Sequence, residues 1–138
     1  MFIINSCFLN LKGHIVKAVE DIKKHTLICE YTGEVCLLRK KLFDTSNDSI
    51  MELIRHPSSS SSLVICPEKK GNIARFLSGI NNADKKAKKK QNVNSARYDI
   101  DGKVNVLLYA SKGIKKGEVL YYDYNAGGSG TYPTENFV

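Results

Sequence analysis

The chain is dominated by short runs of β-branched, aliphatic and aromatic residues separated by turn-forming residues, a pattern that predicts many short strands. The clearest case is Ile100-Asp101-Gly102-Lys103, because an Asp-Gly pair readily adopts the positive φ angles of a two-residue hairpin turn. We therefore predict a mainly β fold of several small sheets with few short helices. The predicted strands are His14 to Val19, Leu27 to Val35, Leu63 to Cys66, Ala96 to Ile100, Val104 to Ala110 and Glu118 to Tyr124.

Four segments depart from this pattern. The run from Ser49 to Ile54 fits either a short helix or a strand, since periodicity does not separate the two over so few residues. The serines from Ser58 to Ser62 predict a polar loop, and the stretch from Gly127 to Gly130 predicts a flexible hinge. Five lysines occur among the six residues from Lys85 to Lys90, and their mutual repulsion predicts a solvated loop, with a DNA-facing loop and a nuclear-import signal as the alternatives.

A length of 138 residues fits one domain, and a net charge of +7 favours acidic partners such as nucleic acid or chromatin. No apolar run approaches the roughly 18 residues that cross a bilayer, and the first residues lack the basic start of a secretory signal. We therefore expect an intracellular protein without membrane contact. We predict a single domain over residues 1–138, with a flank at 1–11, a core at 12–125 and a closing segment at 126–138.

The four cysteines do not form any Cys-x-x-Cys pair, so neither a zinc site nor a disulfide framework is indicated. Apolar neighbours, such as those before Cys29 and Cys66, predict reduced, buried thiols for all four cysteines. The remaining two are Cys7 and Cys36. We predict no metal site.

One segment of the chain is repeated. The stretch from Ala18 to Ile28 is similar to the stretch from Ala110 to Leu120, and each reads as a strand end, a basic turn and a new strand. Two copies are too few for a solenoid. They predict two similar β-corners brought together in one fold, which would bring Tyr31 towards the tyrosines after Leu120.

Several common catalytic motifs are missing. The sequence has no His-Glu-x-x-His, no Gly-x-Ser-x-Gly and no dinucleotide-binding glycine motif, which disfavours a metal enzyme, a serine hydrolase and a Rossmann-type methyltransferase. A cluster of three tyrosines remains, in Tyr121-Tyr122-Asp123-Tyr124. On a strand, Tyr122 and Tyr124 would share one face. Aromatic packing in a half-buried strand is the alternative to a catalytic role.

Three segments together resemble the SET domain of protein lysine methyltransferases. They are Glu30 to Val35, Asn72 to Phe76 and Gly117 to Tyr124, and they occur in the order and spacing usual for that family. The run Ser78-Gly79-Ile80-Asn81-Asn82 is similar to the Trithorax-related plant group, which monomethylates histone H3 at lysine 27. The resemblance implies a β-clip of small sheets around a pseudoknot.

The resemblance also implies catalytic roles for three tyrosines. Tyr124 would lie beside the transferred methyl group, Tyr31 would line the lysine channel, and Tyr122 would hold the amine and limit the product to monomethyl-lysine. Free lysine has a pKa of about 10.4, so deprotonation near neutral pH costs on the order of 4 kcal/mol. A narrow, dry channel lowers this cost because it disfavours the ammonium form.

S-adenosyl-L-methionine is the cofactor that the resemblance implies. Asn81 and Asn82 would either contact the ligand or make structural hydrogen bonds. Because no cysteine follows Cys66, the segment from Tyr132 to Val138 would close the channel without zinc. The predicted cofactor-binding residues are Gly13, His14, Ile15, Arg75, Phe76, Ser78, Gly79, Tyr124 and Tyr132, and the predicted substrate-binding residues are Tyr31, Met51, Tyr121 and Tyr122.

The function implied is a monomeric, nuclear histone-lysine N-methyltransferase that monomethylates lysine 27 of histone H3. Its partner would be the histone H3 tail or the nucleosome, with acidic side chains such as Glu34, Asp44 and Asp48 near the basic tail and a possible DNA contact through Lys85 to Lys90. Two alternatives remain open. One is a lysine methyltransferase for another histone or a non-histone target, and the other is a catalytically silent SET module that binds chromatin.

Overall fold

A computed structural model of the chain describes residues 7–10, 13–39, 49–55, 61–126, 134–135 and 137. Strands account for 45% and helices for 10%, which confirms the predicted mainly β fold of small sheets. In this part of the chain the strands are β1 (Cys7–Asn10), β2 (Gly13–Val16), β3 (Leu27–Glu30), β4 (Glu34–Arg39), β5 (Met51–Arg55), β6 (Ser61–Cys66), β7 (Ser78–Gly79), β8 (Val93–Ile100), β9 (Lys103–Ala110) and β10 (Tyr121–Tyr122), with a 3-10 helix at Ile73–Phe76 and α1 at Lys85–Lys90.

The strands form three sheets. Strands β1 and β2 form an antiparallel pair, the five-stranded sheet has the order β3-β9-β8-β10-β7, and the three-stranded sheet has the order β4-β6-β5. Asp101 and Gly102 lie between β8 and β9 with φ angles of 52° and 77°. The Gly102 N–H also donates to the Asp99 carboxylate at 2.8 Å. The predicted hairpin is therefore confirmed.

The chain divides into two compact units that alternate along the sequence. Among the side chains buried in the first unit are Val16, Ile80, Val93, Leu108, Ile114 and Leu120, and among those buried in the second are Tyr31, Leu53, Val64, Ile65 and Val106. The first unit comprises Met1–Ile28, Phe76–Ser95 and Leu108–Val138, and the second comprises Cys29–Arg75 and Ala96–Leu107.

The two repeated corners pair with each other inside the first unit. Ile22 and Ile114 occupy the same position in the two copies and exchange backbone hydrogen bonds of 2.8 and 2.9 Å. The flanking hydrogen bonds follow the same two-fold relation. They are Ala18 N–H to Glu118 O at 2.9 Å with Ala110 N–H to Thr26 O at 3.0 Å, and Gly117 N–H to Ala18 O at 2.7 Å with His25 N–H to Ala110 O at 2.8 Å. The prediction that the corners come together is confirmed.

The same relation extends to the backbone angles of the two turns. His25 and Gly117 hold equivalent positions, and both have positive φ angles, 67° and 86°. Glycine adopts this region without steric cost, whereas a residue with a Cβ does not. The positive φ angle is present even at His25, where a Cβ makes it costly. The hydrogen bonds between the two corners therefore determine the turn conformation, rather than the residue type.

The predicted strand from Leu27 to Val35 was wrong in its extent, because the chain leaves one sheet after Glu30 and enters another at Glu34. A Cβ on Gly33 would lie 2.7 Å from the backbone C and O of Cys66, so the chain passes too close to β6 for a side chain. The segment from Ser49 to Ile54, for which both a helix and a strand were predicted as alternatives, forms the strand β5 rather than a helix. Ser61 and Ser62, predicted as loop, belong to β6, and residues 56–60 lie outside the described part.

The predicted loop at Lys85 to Lys90 was wrong, because these residues form α1. Asp84 caps the helix by accepting the Lys86 N–H at 2.8 Å, and Ala87 is the buried member. The Lys112 ammonium donates to the Lys89 carbonyl at 2.6 Å, at the end where helix carbonyls favour cations. The lysine side chains are exposed, so solvent screens the repulsion between their charges. The Asp84 cap and the buried Ala87 stabilise the helix.

Two further expectations are corrected. The predicted strand from Glu118 to Tyr124 is reduced to the two residues of β10, because the Asp123 carboxylate accepts the Asn125 N–H at 2.8 Å and turns the chain. The prediction of buried thiols is wrong for Cys36, which is exposed on β4, while Cys29 and Cys66 are only partly buried. Across the described ranges, no helix is both long and apolar enough to cross a membrane. The predicted hinge from Gly127 to Gly130 lies outside the described residues.

Candidate active site

Strand β10 carries the first two tyrosines of the cluster and lies between β7 and β8, parallel to both. Tyr121 pairs with Ser78, and Tyr122 pairs with Gly79. The buried amide of Asn92 fixes the start of this strand, because its Oδ1 accepts the Tyr121 N–H at 2.8 Å and its Nδ2 donates to the Val119 carbonyl at 2.9 Å. Two residues suffice as a strand here because both edges are paired.

Tyr124 lies between two other aromatic rings of the first unit. Its ring centroid is 5.9 Å from that of Tyr122, edge-on at 73°, and 5.3 Å from that of Phe137. The Tyr124 hydroxyl donates to the Leu77 carbonyl at 2.8 Å. The hydroxyl therefore acts as a donor to the backbone, and a phenolic oxygen can also accept hydrogen bonds. Tyr122 and Tyr124 adjoin each other as predicted, although the chain turns between them.

Gly79 provides the space for this cluster. A Cβ at this position would lie 2.3 Å from Phe137 Cδ2 and 2.7 Å from Tyr124 Cδ2. Both distances are far shorter than an ordinary van der Waals contact, so any side chain at position 79 would displace the rings. Gly79 was predicted as a cofactor contact, which stays a prediction, and the geometry shows that it leaves room for the aromatic rings.

The Tyr122 hydroxyl is also held in place. Its ring is buried, with 5% of its surface exposed, and its hydroxyl lies 2.9 Å from the Ser95 Oγ. Tyr121 points elsewhere, with the Lys90 ammonium 5.9 Å from its ring centroid. Two tyrosines that are adjacent in sequence thus have different surroundings, one buried beside Tyr124 and one half-exposed beside a lysine of α1.

Asn81 and Asn82 tie the last described residues to the tyrosine cluster. The Asn82 Nδ2 donates to the Asp123 carboxylate at 2.8 Å, and the Asn82 N–H donates to the Thr134 hydroxyl at 3.1 Å. The Asn81 Nδ2 donates to the Glu135 carbonyl at 3.1 Å. These bonds match the structural alternative stated for the two asparagines, and they place Phe137 in reach of Tyr124.

Tyr31, predicted as a catalytic residue, belongs to the second unit. It is buried, with 5% of its surface exposed, and its hydroxyl donates to the Ser49 carbonyl at 2.5 Å. Its N–H donates to the Val106 carbonyl at 2.8 Å. Met51, predicted to contact substrate, is half-buried at the start of β5 opposite Ile65. Tyr31 is therefore held at both its backbone and its hydroxyl.

Cys29 lies close to Tyr31 in sequence but is a poor nucleophile. Burial, together with the neighbouring Glu30 charge, raises the pKa of the Cys29 thiol to about 11. At neutral pH this thiol is protonated, and the thiolate is the reactive form. Covalent catalysis by Cys29 is therefore disfavoured.

The predicted cofactor-binding residues fall into two groups. In the first unit the rings of His14 and Phe76 lie 4.9 Å apart, so two segments predicted to meet the cofactor adjoin each other. In the second unit the Arg75 guanidinium donates to the carbonyls of Pro67 and Glu68, at 3.2 and 2.8 Å. Gly13 and Ile15 lie on β2, paired with Asn10 and Phe8. Tyr132, Asp44 and Asp48 lie outside the described residues.

Two groups in this cluster were not predicted. Leu77 contributes a backbone carbonyl, which no side-chain pattern reveals. Ser95 lies on β8, and its partner Tyr122 is 27 positions away, so the contact depends on the β8–β10 pairing. The order of the strands would have been needed to find Ser95 from sequence.

The SET domain profile matches residues 13–125, and the chain therefore belongs to the SET domain family. Among known proteins, it is 50% identical over 131 residues to the probable histone-lysine N-methyltransferase ATXR5 of Ricinus communis, and 51% identical over 128 residues to the histone-lysine N-methyltransferase ATXR5 of Arabidopsis thaliana. These matches cover 95% and 93% of the chain but 34% and 33% of the relatives. The chain thus spans about a third of their length.

A solved structure shows the same fold. The crystal structure of ATXR5 in complex with histone H3.1 monomethylated on R26 superimposes with a TM-score of 0.84 at 49% identity. The match covers 99% of this chain and 60% of that one.

Proposed function

We propose that this chain is the catalytic domain of a histone-lysine N-methyltransferase that transfers one methyl group from S-adenosyl-L-methionine to lysine 27 of histone H3. The arrangement of Tyr124 carries the proposal, with its ring between Tyr122 and Phe137 and its hydroxyl proton on the Leu77 carbonyl. Membership of the SET family and about 50% identity to two histone-lysine methyltransferases support it. Nuclear localisation follows from the proposed substrate.

The reaction needs a neutral lysine amine. The amine would form an N–C bond to the methyl group that bound S-adenosyl-L-methionine would supply, and the sulfur would keep the electrons of the broken S–C bond. Before this step the substrate ammonium would lose a proton to solvent, which burial among aromatic rings favours. The Tyr124 oxygen, with its own proton on Leu77, accepts a hydrogen bond from the amine and aligns it for attack. Such alignment contributes several kcal/mol, up to roughly 7–11 kcal/mol in well-oriented reactions.

Tyr122 would set the number of methyl groups. Its buried hydroxyl lies beside the Ser95 Oγ, so it occupies a fixed place against the amine. A second methyl on the nitrogen would need the space that this hydroxyl fills. We therefore propose monomethylation as the reaction outcome.

Substrate contacts are proposed for four residues. Tyr31 would line the lysine channel with its ring, since its hydroxyl is directed at the Ser49 carbonyl. Met51 and Tyr121 are half-buried, which leaves part of each side chain available to a peptide. Tyr122 would meet the amine itself. Glu34, which pairs with Lys70 at 3.0 Å while half-exposed, would attract the basic histone tail.

The residues present fit S-adenosyl-L-methionine, which when bound supplies an electrophilic methyl group on a sulfonium sulfur. The His14–Phe76 ring pair offers an aromatic surface for an adenine, and the Tyr124 ring adjoins Gly79 on β7. We propose Gly13, His14, Ile15, Phe76, Ser78 and Gly79 as the residues that would hold it, together with Arg75, Tyr124 and Tyr132.

The test uses recombinant nucleosomes and labelled S-adenosyl-L-methionine. We expect Tyr124→Phe to lower turnover by about 100-fold, because misplaced reactants cost rates of that order. Tyr98→Phe, an exposed tyrosine on β8, serves as the matched control and should keep full activity. Wild-type activity in Tyr124→Phe would contradict the proposal. Mapping the methylated residue separates lysine 27 from another histone lysine, and mass spectrometry of the Tyr122→Phe product should show added dimethyl-lysine.

The lysines of α1 are proposed to contact nucleosomal DNA. Lys85, Lys86, Lys88, Lys89 and Lys90 are all exposed, and Lys112 joins them at the helix end. Each phosphate contact adds about 0.9 to the slope of log affinity against log salt. Replacing Lys85 and Lys86 with glutamine should therefore lower the slope by up to roughly 2. An equal replacement of Lys23 and Lys24, exposed in a corner turn, is the control, and an unchanged slope in the helix variant would contradict this contact.

A further inference from the structure

Two cysteines of the second unit face each other across neighbouring strands. The Sγ atoms of Cys36 and Cys66 are 2.8 Å apart, although the residues are separated by 30 positions in the chain. Cys36 lies on β4 and Cys66 ends β6. The two sulfurs need to approach by less than an ångström to reach the bond length of a disulfide, about 2.05 Å.

The pairing of the strands fixes this approach. Cys36 is opposite Val64 and Cys66 is opposite Glu34, so the two cysteines form a diagonal pair on one face of the antiparallel ladder. The backbone of Cys66 also lies against Gly33, where a Cβ would come within 2.7 Å of it. The register of the ladder thus places both cysteines on one face, and their side chains meet across it.

The two thiols differ in access to solvent. Cys36 is exposed, whereas Cys66 is partly covered. Burial, followed by the hydrogen bond with Cys36, raises the pKa of the Cys66 thiol to about 11, so Cys66 stays protonated near neutral pH. An oxidant arriving from solvent therefore meets Cys36 first, with Cys66 in position to react with the oxidised sulfur.

We propose that Cys36 and Cys66 form an oxidation site at which a hydroperoxide generates an intramolecular disulfide between β4 and β6. The Cys36 sulfur attacks the peroxide, which is reduced to water or an alcohol, and becomes a sulfenic acid. The Cys66 sulfur then displaces hydroxide from it, and the thiol proton leaves with that hydroxide as water. Two electrons pass from the sulfurs to the peroxide, and a dithiol reductant reverses the change.

The test titrates the folded protein with hydrogen peroxide and alkylates the remaining thiols. Cleavage after glutamate separates Cys29 from Cys36, because Glu30 and Glu34 lie between them in the sequence. We expect a cross-linked peptide pair containing Cys36 and Cys66, a mass loss of two hydrogens, and recovery of both thiols after reduction. The same titration in denaturant is the control, and there the selectivity for this pair should be lost.

Two variants complete the design. Cys36→Ser should remove the cross-link and leave Cys66 alkylatable, while Cys29→Ser should leave the cross-link unchanged, because Cys29 lies on a different strand, β3. Oxidation of Cys36 to the sulfinic acid while Cys66 remains free, or cross-links shared equally among all four cysteines, would overturn the proposal. The site is independent of the proposed methyltransferase activity, since every readout is a thiol or a mass.

Discussion

The Ser95 Oγ and the Tyr122 hydroxyl oxygen lie 2.9 Å apart, on the parallel neighbours β8 and β10. This contact fixes the direction of a buried phenol at the tip of the tyrosine cluster. A serine that lies outside every motif of the sequence therefore orients the side chain proposed to limit methylation.

We expect Ser95→Ala to loosen Tyr122 and to shift the product towards dimethyl-lysine. Losing one neutral hydrogen bond costs roughly 0.5–1.5 kcal/mol, which corresponds to a few-fold change in product ratio. The measurement is mass spectrometry of a methylated histone H3 peptide at matched turnover. Ser111→Ala, just after β9, is the control, and an unchanged ratio in Ser95→Ala would show that Tyr122 does not depend on Ser95.

Gly79→Ala should disrupt the packing of Phe137 and Tyr124, because the added methyl would lie within 2.3 Å of one ring and 2.7 Å of the other. Overpacking of this kind costs about 1–3 kcal/mol. We expect a lower midpoint in thermal unfolding together with a loss of methyl transfer. Gly113→Ala is a matched control, since no atom lies within 4 Å of the Cβ there. Equal stability of the two variants would refute the packing role of Gly79.

His25→Gly should stabilise the protein, because it removes a Cβ from a residue with a φ of 67°. The left-handed conformation costs a residue with a Cβ roughly 1–2 kcal/mol, partly offset by the greater entropy of unfolded glycine. The converse change, Gly117→Ala at a φ of 86°, should destabilise it. Chemical denaturation measures both effects, and a fall in stability for His25→Gly would indicate that the imidazole makes a contact of its own.

The Asp21–Lys115 pair should contribute to stability only above the acid range. The Asp21 carboxylate accepts hydrogen bonds from the Lys115 ammonium at 2.7 Å and from the Lys116 N–H at 2.9 Å, and these bonds lower the pKa of Asp21. A lowered folded-state pKa gives stability that is present above the ordinary carboxyl pKa and is lost as the pH falls through the folded value.

Asp21→Asn should therefore reduce the unfolding midpoint at neutral pH and change it less near pH 2. Both side chains are largely exposed, so the effect is small and weakens with added salt. A difference that stays constant over this pH range would exclude the carboxylate charge as its source.

Features that follow from turn chemistry or from an internal repeat could be predicted from the sequence. The Asp101-Gly102 hairpin follows from turn chemistry alone, and the pairing of the corners follows from the similarity of Ala18–Ile28 to Ala110–Leu120. The loop predicted at α1 was wrong, because that prediction considered the repulsion among the lysines but neither the Asp84 cap nor the buried Ala87.

Contacts that depend on strand order were not accessible from sequence. Ser95 and Leu77 reach the tyrosines only because β7, β10 and β8 are neighbours. The approach of Cys36 to Cys66 likewise depends on the register between β4 and β6. The roles assigned to Tyr31 and to the cofactor-binding residues stay predictions that the proposed experiments test.

The pairing of the two corners also determines when the first unit can be completed during protein synthesis. Asp21 and Lys115 are 94 positions apart, so the earlier corner is made long before the partner that supplies its hydrogen bonds. At about 5–20 residues per second, the ribosome leaves these backbone groups unpaired for several seconds or more. Nascent chains halted before Ile114 should therefore expose this segment to proteases and chaperones.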